Sequence, residues 1–182
     1  MRVIGLAGWS GAGKTTLLVR LIPELNRRGL SVSTLKHAHH DFDVDQPGKD
    51  SFRHRAAGAR EVLVASANRV ALMRELRGDR EPHLAELLGM LTSVDLVIVE
   101  GFKREAHAKI EVHRAKIDKP ALHPNDADIV ALISDLVDSP IRIPHAHIDD
   151  VVGAADLLVA HAEPIDVVVE KLGRTEHRRA AI

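Results

Sequence analysis

The sequence contains no cysteine, so a disulfide scaffold and a thiolate metal site are both excluded, and a reducing cytoplasmic setting is expected. Aromatic side chains make up 2% of the 182 residues, which places the apolar weight on Val, Leu, Ile and Ala. There is no excess of basic charge. The formal net charge of −1 argues against a nucleic-acid binder. No uninterrupted apolar run is long enough to span a bilayer, so a membrane is not an expected partner. The first apolar run meets a glycine-rich stretch within eight residues, a pattern unlike a secretory leader. What remains is 45% hydrophobic, enough for a globular core, with twelve histidines that gain charge below about pH 6.5 if exposed.

β-Branched runs alternate with Leu/Ala segments, which predicts an α/β protein with a mostly parallel central sheet. The chain is organised around Gly8-Trp9-Ser10-Gly11-Ala12-Gly13-Lys14-Thr15-Thr16, set between a strand-like run (residues 2–7) and a helix-like one (residues 14–28). This matches the P-loop pattern G-x-x-x-x-G-K-[ST] without a mismatch and in the right structural context. Backbone N–H groups from Gly8 through Thr16 can wrap a phosphate chain, aided by the positive end of the helix. Lys14 can bridge the terminal phosphates, and the Thr15 hydroxyl can ligate Mg²⁺.

The opposite wall of such a site needs a carboxylate at the end of a neighbouring strand. Val94-Asp95-Leu96-Val97-Ile98-Val99-Glu100-Gly101 supplies one, with Glu100 at the carboxyl end and Gly101 suited to close backbone approach to a γ-phosphate. The polar segment 36–51 leaves several readings open. As a calcium loop it fails, because Gln46 and Phe52 stand where an EF-hand needs Gly and Glu. A transition-metal site from His37, His39, His40 and the aspartates, and a plain solvated loop, are both possible. The favoured reading is a loop closing over triphosphate, with Asp41, Asp43 or Asp45 holding metal-bound water.

Further along, Asp50 and Ser51 are acceptable caps for a helix 52–59, and 61–73 reads as a hairpin at a sheet edge, a candidate surface for pairing with a second copy. Pro82 opens a helix to about residue 91. Lys103, Arg104 and Lys109 are candidates for an anionic ligand. Asp135 ends another buried strand, where its carboxylate could accept two N–H donors from guanine. Pro140 to Pro144 reads as the last strand, Asp149 or Asp150 caps a helix, and residues 163–182 read as a C-terminal extension that ends in a polar, mobile tail after a domain spanning 1–162.

Together, Gly8–Thr16, the run from Leu35 through the His/Asp segment to Ser51, Arg53-His54, Ala57-Gly58-Ala59 and Val99-Glu100-Gly101-Phe102-Lys103 resemble one family, the molybdopterin-guanine dinucleotide biosynthesis adapter family, protein B (MobB). The likeness runs to about residue 160. It implies a three-layer P-loop fold, GTP and Mg²⁺ as ligands, weak GTPase activity and a homodimer. The implied partner is the molybdenum cofactor guanylyltransferase, with molybdopterin itself a further candidate. Carried onto this chain, Gly11, Gly13, Lys14, Thr15 and Thr16 would hold phosphates, with Thr15 and Glu100 near Mg²⁺; Asp43, Asp45, Asp50 and Asp135 lie in matching segments. No arginine or glutamine identifies itself as a transition-state group, and P-loop proteins lacking one turn over slowly, near roughly 10⁻⁴–10⁻² per second. The alternatives are a small-molecule kinase using Arg53, Arg55 or Arg104 in a lid, and a metal-delivery protein using His37, His39 and His40.

Overall fold

Alternating apolar residues on each central strand, facing opposite ways, decide how the layers of this protein are assembled. The computed structural model describes residues 1–38, 42–136 and 141–180, with side chains as far as residue 175. The chain runs β1 (Arg2–Ala7), α1 (Lys14–Arg27), β2 (Val32–Lys36), α2 (Asp50–Ala56), β3 (Glu61–Ala65), β4 (Val70–Arg74), α3 (Leu84–Gly89), β5 (Leu96–Glu100), β6 (Lys109–His113), β7 (Ile129–Ser134), β8 (His145–His147), α4 (Val151–His161), β9 (Glu163–Pro164) and α5 (Ile165–Ala180). It divides into two compact units, one of Met1–His37 with the chain from Leu84 onward, the other Ala38–His83.

In the first unit the sheet order is β2-β5-β1-β6-β7-β8 with every neighbour parallel, and β9 pairs antiparallel with β1. Ile4, Ile98, Ile110 and Ile133 face α1 and α4, where Leu17, Leu21, Leu25 and Leu158 close the core. Their neighbours Val3, Val97 and Val99 face the other way, against Leu84 and Leu88 of α3 and Val168 and Leu172 of α5. Each such fully buried leucine contributes about 1.5–3 kcal/mol. Helices on both faces of a parallel sheet give the three-layer α/β architecture that the strand pattern predicts.

Several elements depart from the sequence expectation. Residues 163–175 do not form a loose extension: β9 joins β1, and Val168 and Leu172 are buried. The boundary between units lies around residues 37 and 83, not at 162. The strand expected to end at Pro144 instead begins after it, at His145–His147, since Pro144 provides no N–H for the ladder, and the short β9 follows it in the chain. Helix α2 starts at Asp50 with Lys49 as its N-cap, so Asp50 and Ser51 sit inside the first turn. Helix α3 starts at Leu84, past Pro82. The hairpin β3–β4 forms with paired register Leu63↔Leu72, but as a separate two-stranded sheet of the second unit. Asp150 does cap α4, accepting from Gly153 N at 2.9 Å.

Buried polar residues line the start of β6. Lys109 is almost fully enclosed, and its ammonium reaches Asp126 Oδ2 at 3.1 Å and donates to the carbonyls of Lys103 and Glu105, each at 3.1 Å. That network occupies it, so it is no ligand contact. His107 is 1% exposed, and burial, reinforced by Lys109, pushes its imidazole down to about 4 from 6.5 against the opposing pull of Glu105 and Asp128. The native ring is therefore neutral. Between the unfolded value of 6.5 and the folded value of about 4, the unfolded chain takes up a proton that the folded chain does not. Stability is full above this window and falls as pH drops through it, by at most about 3 kcal/mol. Denaturant midpoints at about pH 7 and about pH 5 should differ by less in His107→Gln than in the wild type; equal differences would contradict this account.

Candidate functional site

The P-loop lies where β1 ends and α1 begins, at the carboxyl edge of the sheet, the edge where parallel α/β sheets bind ligands. Gly8, Gly11 and Gly13 have φ of 141°, 81° and 92°. Gly13, the left-handed N-cap of α1, directs the chain into the helix without a side chain over the first-turn amides. Ala12 N donates to Trp9 O at 3.1 Å, closing the loop. Lys14 Nζ spans the loop, donating to Gly8 O at 3.0 Å and Trp9 O at 3.1 Å. Ser10, Thr15 and Thr16 are exposed, while Ala12 is buried beneath the turn.

Glu100 stands on the same edge. Its register partners are Leu6 of β1 and Lys36 of β2, and it is 9% exposed. Burial lowers the Lys14 pKa; Glu100 opposes that shift, while Lys103 and Lys36 reinforce it. One carboxylate therefore sits among three ammonium groups, a balance of charge suited to a polyanion carrying a metal ion. Gly101, at φ 106°, serves a different contact from the one expected: an added Cβ would lie 2.9 Å from His37 Cβ and 3.0 Å from His37 O. It lets the ends of β5 and β2 close together, with His37 N donating to Glu100 O at 2.9 Å.

Two further features surround the loop that the sequence did not reveal. Trp9 donates from Nε1 to Pro120 O at 2.8 Å, and the ammonium groups of Lys103 and Lys119 lie 5.1 and 4.6 Å from its ring. Burial, then repulsion from Lys119, lowers the Lys103 pKa. Arg114, directly after β6, packs against Gly13: a Cβ there would be 3.2 Å from Arg114 Nε. The clue available beforehand was position, since any residue following a parallel strand reaches this edge.

The remaining candidates are placed differently. Asp135 Oδ1 accepts from Ala115 N at 2.7 Å, joining the loops that follow β6 and β7. In the second unit, Asp43 and Asp45 come together around Arg55, at 2.8 and 3.2 Å, and Glu75 completes the cluster at 2.7 Å. The Arg55 hydrogen bond holds the Asp43 carboxyl below its usual range. For Asp45, burial pushes upward, but hydrogen bonds from Ser51, Gln46 N and Arg55 outweigh it and leave the carboxyl lowered. The cation these aspartates share is a guanidinium. Arg53 pairs with exposed Asp50 at 3.8 Å. His37 packs on Phe102 with ring centroids 5.0 Å apart, and His39, His40 and Asp41 lie outside the described residues. Among the described residues, no three His, Asp or Glu side chains gather as a metal site, and no helix is long and apolar enough to cross a membrane.

The family model described as molybdopterin guanine dinucleotide synthesis protein B matches residues 3–135. The chain belongs to this MobB family. The molybdopterin-guanine dinucleotide biosynthesis adapter protein of Escherichia coli (strain K12) is 43% identical over 162 residues, covering 86% of this chain and 91% of that protein. The protein of the same name from Haemophilus influenzae is 46% identical over 119 residues, covering 65% of this chain and 66% of that one. Among solved structures, Bacillus subtilis MobB superposes with a TM-score of 0.69 at 26% identity, covering 90% of this chain and 99% of that one. The matched span includes the P-loop, Glu100, Arg114 and Asp135, so the family's shared region contains the whole edge described above.

Proposed function

We propose that this chain is a GTP-binding adapter of molybdenum cofactor biosynthesis, working in the cytoplasm beside the guanylyltransferase that makes the guanine dinucleotide form, with slow GTP hydrolysis of its own. The observation carrying this reading is the P-loop held by Lys14 with Glu100 on the same sheet edge. Family membership supplies the pathway. Magnesium bound there would neutralise charge on the terminal phosphates, with the Thr15 hydroxyl as ligand and Glu100 accepting from its water. Asp43 and Asp45 are left out of that shell because Arg55 holds both. Arg55 is likewise unavailable as a lid arginine, which weakens the kinase reading. Exposed Leu63, Val70 and Leu72 on the hairpin suit a homodimer, and molybdopterin is a further candidate ligand.

The test is a calorimetric titration with GTP and ATP, with and without Mg²⁺. GTP is expected to bind more tightly than ATP. Glu100→Gln should reduce the Mg²⁺-dependent gain in affinity by about tenfold, equivalent to about 1.4 kcal/mol, while leaving Mg²⁺-free affinity nearly unchanged. Equal losses under both conditions would remove Glu100 from the metal shell, and equal affinity for the two nucleotides would remove the guanine preference.

A further inference from the structure

Arg114 carries an unmet hydrogen-bond donor beside the P-loop. Its Nε is buried and has no hydrogen-bond partner among the described residues. Guanidinium donors are rarely left so, because water is lost and nothing replaces it. The group also lies against Gly13, the N-cap of the fourteen-residue helix α1, where the helix dipole is positive. Lys14 begins that helix, and Lys36 and Lys103 act on Lys14 electrostatically. The positive end of the α1 dipole at Gly13 disfavours a guanidinium there unless an anion occupies the loop.

The segment bearing Arg114 is held in place independently of any ligand. Asp135 accepts from Ala115 N at 2.7 Å, Ile117 N donates to Arg114 O at 2.9 Å, and Ile117 Cδ1 lies 3.5 Å from where a Gly11 Cβ would stand. The guanidinium is thus presented to the loop by a fixed backbone.

Direction along the sheet decides which phosphate it meets. Glu100 and Lys36 lie on the β5 and β2 flank of β1, which places the metal-bearing terminal phosphate there. Strand β6 lies on the opposite flank. A triphosphate threaded across the P-loop from the first flank reaches Arg114 with its nucleoside-proximal phosphates. We propose that Arg114 binds the α,β-diphosphate portion of the nucleotide, the portion that GTP and GDP share. This rests on the nucleotide reading above, and it assigns Arg114 to binding, separate from the Glu100 metal shell.

The experiment compares wild type, Arg114→Ala, Arg114→Lys and Lys14→Ala by calorimetric titration with GTP and GDP, alongside thermal unfolding. Arg114→Ala is expected to weaken GTP and GDP alike, by about 10- to 100-fold, and Arg114→Lys to recover part of the loss because it restores charge without the fork. The unfolding temperature of Arg114→Ala should stay level or rise, since a buried unmet donor has been removed. If that variant fails to fold, Arg114→Lys carries the test: a loss of GTP and GDP affinity of at least about threefold supports the assignment, and affinity within twofold of wild type overturns it. Wild-type binding matched within twofold by both variants overturns the assignment, as does a loss confined to GTP. A wild-type chain that binds neither nucleotide defeats the nucleotide reading itself, and this inference with it.

Discussion

Replacing Lys14 with alanine is expected to reduce affinity for Mg²⁺–GTP by at least about 100-fold while leaving the fold intact. The size follows from losing a charge-assisted contact worth roughly 3 kcal/mol in a partly buried site. The fold should survive because Lys14 stabilises little besides the loop itself. Its hydrogen-bond partners are carbonyls, Gly8 O at 3.0 Å and Trp9 O at 3.1 Å, and its charge is opposed by burial and by Lys36 and Lys103. Removing the ammonium relieves that repulsion, so the unfolding temperature should hold or rise slightly. Trp9 is the single tryptophan of the chain and belongs to the loop, so its emission reports on the same event. Wild type should show a Trp9 fluorescence change on adding GTP that the variant lacks. Affinity retained within a few-fold would show that the loop does not grip phosphate through Lys14.

What the sequence made legible, and what it hid, divides along local and non-local lines. The P-loop was legible because strand, glycine loop and helix are contiguous, and Glu100 because an apolar run ends in an acid. Arg114 was hidden: a lone arginine after a short strand says nothing until β6 is known to pair with β1 through Gly5↔Lys109, across more than a hundred residues. The buried roles of Lys109 and Glu111 were hidden for the same reason, since the Asp126 carboxylate that Lys109 meets and the Leu122 amide that Glu111 accepts from both come from the segment before β7. Helix α5 is hard to read from the sequence for a different cause. Ile165, Val168 and Leu172 carry a helical spacing, and the structure packs them against the sheet. Three consecutive valines and the polar run after Gly173 masked that pattern. Asp43 and Asp45 illustrate the limit of spacing arguments, because closely spaced aspartates look alike whether they face a metal ion or an arginine.

Glu111 carries the other large effect. Its side chain is fully buried in β6, and its carboxylate accepts from Leu122 N at 2.7 Å, His123 N at 2.9 Å and His123 Nδ1 at 2.9 Å. These bonds tie residues 122 and 123 to the sheet, at the end of the segment that begins with Arg114 and includes Lys119 beside Trp9. Glu111→Ala would leave three donors without an acceptor and open a cavity, a loss of about 3–5 kcal/mol. Glu111→Gln should be intermediate, because its amide keeps one acceptor oxygen but turns N–H donors toward N–H donors. Urea midpoints give the stability, and amide exchange at Leu122 and His123 tests the cause: both amides should lose protection in Glu111→Ala beyond the global change. Nucleotide affinity should fall with them, because the loop that presents Arg114 is then tethered through Asp135 and Pro120 without its sheet anchor. A destabilisation below about 1 kcal/mol, well short of what a buried acceptor removed from three donors implies, would mean the 114–123 loop is held by something other than this carboxylate.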